Sequence, residues 1–115
     1  MEKKIMIGEK ECLIKSSAAI PRLYRMTFGE DIIDEMNVLH EHVQKNGEFL
    51  PEHVTTLENL LYVMNRHADP ETPDTIEEWF EQFNFTEVYG VLPEVIKIWN
   101  EENRRTSTAK KKNAQ

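Results

Sequence analysis

The chain has a single cysteine, Cys12, which excludes any disulfide within it and suits a reducing compartment. Its four glycines, Gly8, Gly29, Gly47 and Gly90, stand far apart, so no glycine-rich phosphate loop can be assembled. No apolar run approaches the ~18–20 residues of a membrane span. The first residues include two lysines but no apolar stretch and no small-residue cleavage site, so no signal peptide is expected. No HExxH, CxxC or dense carboxylate cluster is present, and no metal site or cofactor is expected. Apolar residues are few (39%) and charged ones many (30%), which fits a small helical protein with a solvated exterior. With 115 residues the chain forms one domain at most, and burying roughly two-thirds of its unfolded surface lets it fold alone.

Basic residues are scarce in most of the chain. Residues 1–102 hold 9 Lys/Arg against 21 Asp/Glu, a balance of −12, whereas residues 103–115 hold 5 Lys/Arg and no acid. The acidic body argues against nucleic-acid binding, which needs a basic patch. The last 13 residues contain no large apolar side chain and cannot offset the entropy of ordering, so a disordered basic tail is expected there. Residues 1–102 are expected to form a single helical domain with an N-terminal hairpin.

Strand character is confined to Lys3–Lys15. Ile5-Met6-Ile7 and Cys12-Leu13-Ile14 flank the polar Gly8–Glu11, the pattern of a β-hairpin. A lone hairpin is marginal in water, so it must lie on helices or pair with another chain. About five helices follow. One spans Ala18 to Phe28 with Pro21 in its first turn, with Ile20, Leu23 and Met26 turned inward and Gly29 as its stop. The next runs from Asp31 to Lys45, with Ile32, Ile33, Met36, Leu39 and Val43 as its apolar stripe. A third starts at Pro51 and reaches His67. The Asp69–Pro73 segment, with prolines at both 70 and 73, must break the chain.

Thr75–Asn100 is expected to organise the molecule, because it holds both tryptophans and three of the five phenylalanines. Asp74 with Glu77, and Asn84 with Glu87, have the spacing of capping boxes and mark two helix starts. The first helix carries Ile76, Trp79, Phe80 and Phe83. The second carries Val88, Leu92, Val95, Ile96 and Trp99, and Pro93 within it predicts a kink or a split near Leu92. Gly90 either permits close packing or assists that bend.

No catalytic constellation emerges, and an enzyme is not expected. His40 and His42 are two apart and diverge on a helix, while His53 and His67 lie at opposite ends of another; all four read as surface or boundary residues. Cys12, next to Leu13 and Ile14, reads as a buried inert thiol, and the acids near helix starts complement the helix dipole. The aromatics exceed what one segment needs for a core. Phe80 and Phe85 fall beside the apolar stripes and, with Tyr89, are candidate partner-binding residues. Arg104, Arg105, Lys110, Lys111 and Lys112 are further candidates, in the tail.

SSAAIPRLYRMTFGEDIIDEMN, PDTIEEWFEQF and VYGVLPEVIKIWN, followed by TSTAKKK, resemble the small tail assembly chaperones of long-tailed phages and prophages of Gram-positive bacteria. The resemblance covers nearly the whole chain. It implies a non-catalytic protein that coats the tape measure protein in the host cytoplasm, promotes polymerisation of the tail tube protein, and is absent from the finished virion. It also implies two product lengths, through a −1 ribosomal slip near the end of the short gene, the longer form engaging the tube protein. The lysine codons 110–112 offer a place for such a slip, and the present sequence would be the short form. Self-association into rings or spirals through the hairpin edge is a further expectation. The competing readings are a minor structural or connector protein retained in the particle, and a DNA-binding regulator acting through the tail, against which the acidic body speaks.

Overall fold

The computed structural model describes the backbone of residues 1–114 and the side chains of residues 1–102. The chain forms a hairpin, β1 (Glu2–Ile7) and β2 (Lys10–Lys15), and then helices α1 (Ile20–Phe28), α2 (Ile32–Asn46), α3 (Pro51–Ala68), α4 (Ile76–Phe80) and α5 (Phe85–Ala114). This is the mainly helical architecture expected, an N-terminal hairpin and five helices, with the hairpin packed on α3 and α5. The expected change to a disordered tail at residue 103 falls where side chains lie outside the description.

Alternation places Ile5, Ile7, Cys12 and Ile14 on the buried face of the hairpin, with Ile5 opposite Cys12 and Ile7 opposite Lys10. The turn is only Gly8-Glu9, tighter than the four polar residues implied. Gly8 has φ +63° and, among the described residues, no non-glycine residue has positive φ, the pattern of a type II′ turn. Lys3 and Lys10 lie on the same face as the buried residues and reach other elements. Lys3 Nζ pairs with Glu94 Oε1 of α5 at 2.6 Å. Lys10 donates to Gln82 Oε1 and its ammonium lies 5.8 Å from the centre of the Phe83 ring. The hairpin is thereby clamped along α5 and at the turn preceding it.

Helix α3, rather than Thr75–Asn100, is the element the others surround. Leu60 through Asn65 are buried without interruption, and β2, α1, α2, α4 and α5 all pack on this helix. A helix that is apolar around its circumference belongs in an interior. Trp79 is fully buried, but it leans on α3, edge to face with Tyr62 at 5.7 Å. The inward face of α1 is Ile20 and Tyr24, supported by Leu23 and Phe28. Met26 is 71% exposed, contrary to expectation, because it stands two residues, about 200° of helix, from Tyr24. Ile33 is exposed for the same kind of reason, being one residue off the Ile32–Met36–Leu39 stripe.

The helix starts use caps that spacing alone half revealed. Asp31 Oδ1 accepts from Ile33 and Asp34 at the start of α2. Thr75, not Asp74, caps α4, accepting from Glu78 N–H at 3.2 Å. At α5 the box is reciprocal as expected: Glu87 N–H donates to Asn84 Oδ1 (3.0 Å) and Asn84 N–H to Glu87 Oε1 (2.9 Å). α5 runs unbroken through Pro93, so of the two expected outcomes, a kink or a split, the split does not occur. Pro93 and Tyr89, whose carbonyl loses its donor, are both exposed, so the missing bond falls on the solvent side of the helix.

Asn65 joins three elements at the centre. Its Nδ2 donates to the Leu13 carbonyl of β2 (2.6 Å) and its Oδ1 accepts from Trp79 Nε1 of α4 (2.9 Å). The 69–74 segment is bound alongside: Tyr62 OH donates to the Pro73 carbonyl (2.6 Å), and Arg66 donates to Tyr62 OH and the Asp74 carbonyl.

Gly8 and Gly90 should respond oppositely to alanine. A Cβ at Gly8 would fall on the Glu87 carboxylate that caps α5, and the backbone there is left-handed. Gly8→Ala is expected to cost about 1–2 kcal/mol from the backbone alone. At Gly90 a Cβ meets nothing within 4 Å, so close packing is not its role, and Gly90→Ala should stabilise by about 0.5–1 kcal/mol. Urea unfolding of the two variants measures both.

Candidate partner-binding surface

The start of α5 carries two large aromatic side chains in solvent. Phe85 is 70% exposed and Tyr89 50%. One helical turn separates them, so they stand on the same face, edge to face with ring centres 6.0 Å apart. The Asn84–Glu87 box fixes the direction in which α5 leaves α4 and so aims this pair outward. Beside it opens a pocket of about 250 Å³ lined by Glu58, Phe80, Phe83, Asn84, Phe85 and Val88. Phe80 and Phe83 are half-buried, both against Trp79 with ring centres 5.3 and 5.2 Å away, and this stacking holds the pocket wall in place.

Of the sequence candidates, the fold brings Phe80, Phe85 and Tyr89 to one surface. Arg104, Arg105, Lys110, Lys111 and Lys112 lie outside the residues whose side chains are described. Glu58 was not foreseen: it comes from α3, far away in sequence, and only packing places it in an aromatic wall. Burial raises its carboxyl pKa. Ionised Glu58 therefore opposes folding. At a pH below the ordinary carboxylate value both folded and unfolded chains are protonated and no penalty exists. The penalty develops as pH rises through the unfolded and then the folded pKa. Glu58→Gln should accordingly raise Tm at pH 7, by less than about 1 kcal/mol of stability after solvent screening, and the gain should vanish near pH 3.5. Thermal melts at the two pH values test this.

Cys12 is buried, and burial raises its thiol pKa, as an unreactive cysteine requires. His53 is buried rather than peripheral. Its Nδ1 accepts from Leu50 N–H at 2.9 Å while Leu50 O accepts from His53 N–H, a reciprocal cap at the start of α3. Its ring lies 5.1 Å from that of His42, and His40 diverges to the exposed side. His67 Nε2 lies 3.1 Å from Ser17 Oγ, a hydroxyl that also accepts from Ala19 N–H in the turn before α1. Burial, then Lys15 and the N-terminal ammonium, lower the His67 pKa, which favours the neutral ring beside that hydroxyl.

A second recess, about 470 Å³, lies between α2 and α3 and is edged by Glu30, Asp34, Glu35 and Glu52. Tyr24 OH (3.0 Å) and Thr56 Oγ1 (2.8 Å) donate to Glu35 Oε2, and the neighbouring Glu35 raises the Glu30 carboxyl pKa. Among the described residues no group of three or more His, Cys, Asp or Glu converges to hold a metal, and no helix is long and apolar enough to cross a membrane.

Fold and surface together define a small, acidic, mainly helical protein that presents an aromatic patch. Comparison of the chain with family models, with curated proteins and with solved structures gives no match.

Proposed function

We propose that this protein is a non-catalytic tail assembly chaperone of a long-tailed phage or prophage, acting in the bacterial host cytoplasm by covering apolar surface on the tape measure protein. The observation that supports this reading best is the exposed Phe85–Tyr89 pair beside an aromatic pocket, on a body whose residues 1–102 carry a balance of −12. Large aromatics in water are costly unless a partner covers them, and they are the side chains on which protein interfaces concentrate their energy. The acidic remainder repels like-coated neighbours and keeps a covered filament dispersed. The tail tube protein is engaged mainly through a frameshifted long form in this reading, and the short chain is absent from the virion. Self-association on the partner follows if the hairpin edge pairs with another subunit.

Co-expression with a phage tape measure protein provides the test. That long partner should move from the pellet to the soluble fraction only when this chain is present, and mass spectrometry of purified virions should not find this chain. An equally insoluble partner, or stoichiometric retention in virions, overturns the proposal; the second result selects a connector protein instead.

A further inference from the structure

The pocket next to Phe85 specifies more than general stickiness. At about 250 Å³ it lies below the roughly 300–1,000 Å³ of small-molecule sites, and it has the size of one large side chain. Its wall is aromatic and aliphatic (Phe80, Phe83, Phe85, Val88) except for the Glu58 carboxylate. The segment that supplies Phe80 and Phe83 is acidic: Glu77, Glu78 and Glu81 are exposed on α4 and the turn after it, whereas Asp74 and Glu94 are already paired with Arg66 and Lys3. Lys10, which reaches this region from the hairpin, is already engaged by Gln82 and Phe83. Phe85 and Tyr89, one turn apart, form a ridge along α5 against which another helix can lie.

Building on the reading of this patch as a partner surface, we infer that the pocket seats one apolar anchor side chain of an amphipathic helix that carries lysine or arginine within a turn of that anchor. The apolar group fills the space between Phe80, Phe83 and Val88. The cation faces Glu58 and the exposed acids of the α4 segment, where a helix with acidic flanks would meet like charge. Specificity between the two comes from that repulsion as much as from the attraction.

Three dye-labelled synthetic helices test this by fluorescence anisotropy with the full chain at 0.15 M salt: leucine stripe with lysine flanks, leucine stripe with glutamate flanks, and serine stripe with lysine flanks. The leucine/lysine helix should bind at least ten-fold more tightly than either of the others. Phe85→Ser, a change at an exposed position, should weaken it ten-fold or more, and Glu58→Gln should narrow the preference for lysine over glutamate flanks. Equal binding of the serine/lysine helix would reduce the effect to bulk charge and overturn the inference. Equal binding of the leucine/glutamate helix, or indifference to both Phe85→Ser and Tyr89→Ser, would do so too. If co-expression solubilises the long partner through Phe85 while the peptides show no charge preference, the chaperone reading stands and the partner chemistry assigned here falls.

Discussion

Asn65→Ala should destabilise the fold by about 3 kcal/mol, a large share of the 5–15 kcal/mol of a typical domain. The side chain is 6% exposed and makes two hydrogen bonds that no other group can replace. Its removal leaves the Leu13 carbonyl of β2 and the buried Trp79 indole N–H of α4 without these partners. Each orphaned group costs about 1–3 kcal/mol, and the loss of packing adds to it. A fall in Tm of roughly 10 °C or more follows for a domain of this size. Trp79→Phe supplies the control, since it removes the indole donor while keeping a ring in the core. In that background Asn65→Ala should cost measurably less, and the difference isolates the indole–amide bond. Equal costs in the two backgrounds, measured by urea unfolding, would mean that the bond contributes nothing.

The paired substitution Phe85→Ser with Tyr89→Ser should abolish solubilisation of the long partner and leave the fold intact. Both side chains are at least half in water, so little burial is lost on folding. The Phe85–Tyr89 contact is a pair one turn apart on a helix, and such pairs contribute about 0.2–0.5 kcal/mol. In a covered interface the same residues act as anchors, where truncation costs about 2 kcal/mol or more each, roughly thirty-fold in affinity per residue. Stability and binding should therefore separate: an unchanged urea midpoint beside a partner that stays in the pellet. A double variant that unfolds earlier, or that still holds the partner in solution, would place the binding surface elsewhere. Trp79→Ala is the contrasting case, since it removes a fully buried ring that supports Phe80 and Phe83 and should lose stability and binding together.

The hairpin, the helices and most of their ends were readable from local chemistry. Alternation of Ile5, Ile7, Cys12 and Ile14 writes a strand pair, and Asn84 with Glu87 writes a helix start. These signals act within a few residues of themselves, through side-chain period and capping, and tertiary contacts did not overrule them. Where two caps compete one residue apart, as at Asp74 and Thr75, local spacing cannot choose, because either residue has an acid three positions on. The winner depends on the path of the chain after Pro73, whose carbonyl is held by Tyr62.

Pro93 leaves α5 unsplit for a related reason. Its local effect is to remove a hydrogen bond, but whether a helix breaks there depends on whether water reaches the freed carbonyl. Burial decides that, and burial is a property of the assembled layers. The centrality of α3 was hidden in the same way. Its apolar residues exceed one stripe, yet aromatic content drew attention to Thr75–Asn100, and only packing shows that five elements share α3 as their common neighbour.

Phe85 could be singled out because an aromatic residue off an apolar stripe has nowhere to hide on a helix, whereas Phe80, also off the stripe, is half-buried against Trp79. Their gathering beside Glu58 could not. Periodicity says which face of a helix a residue occupies, but it carries no information about which other helix lies opposite. That pairing, like the bond from Asn65 to both the hairpin and Trp79, is set by how the layers close around α3, where contacts between residues distant in sequence outweigh every local preference.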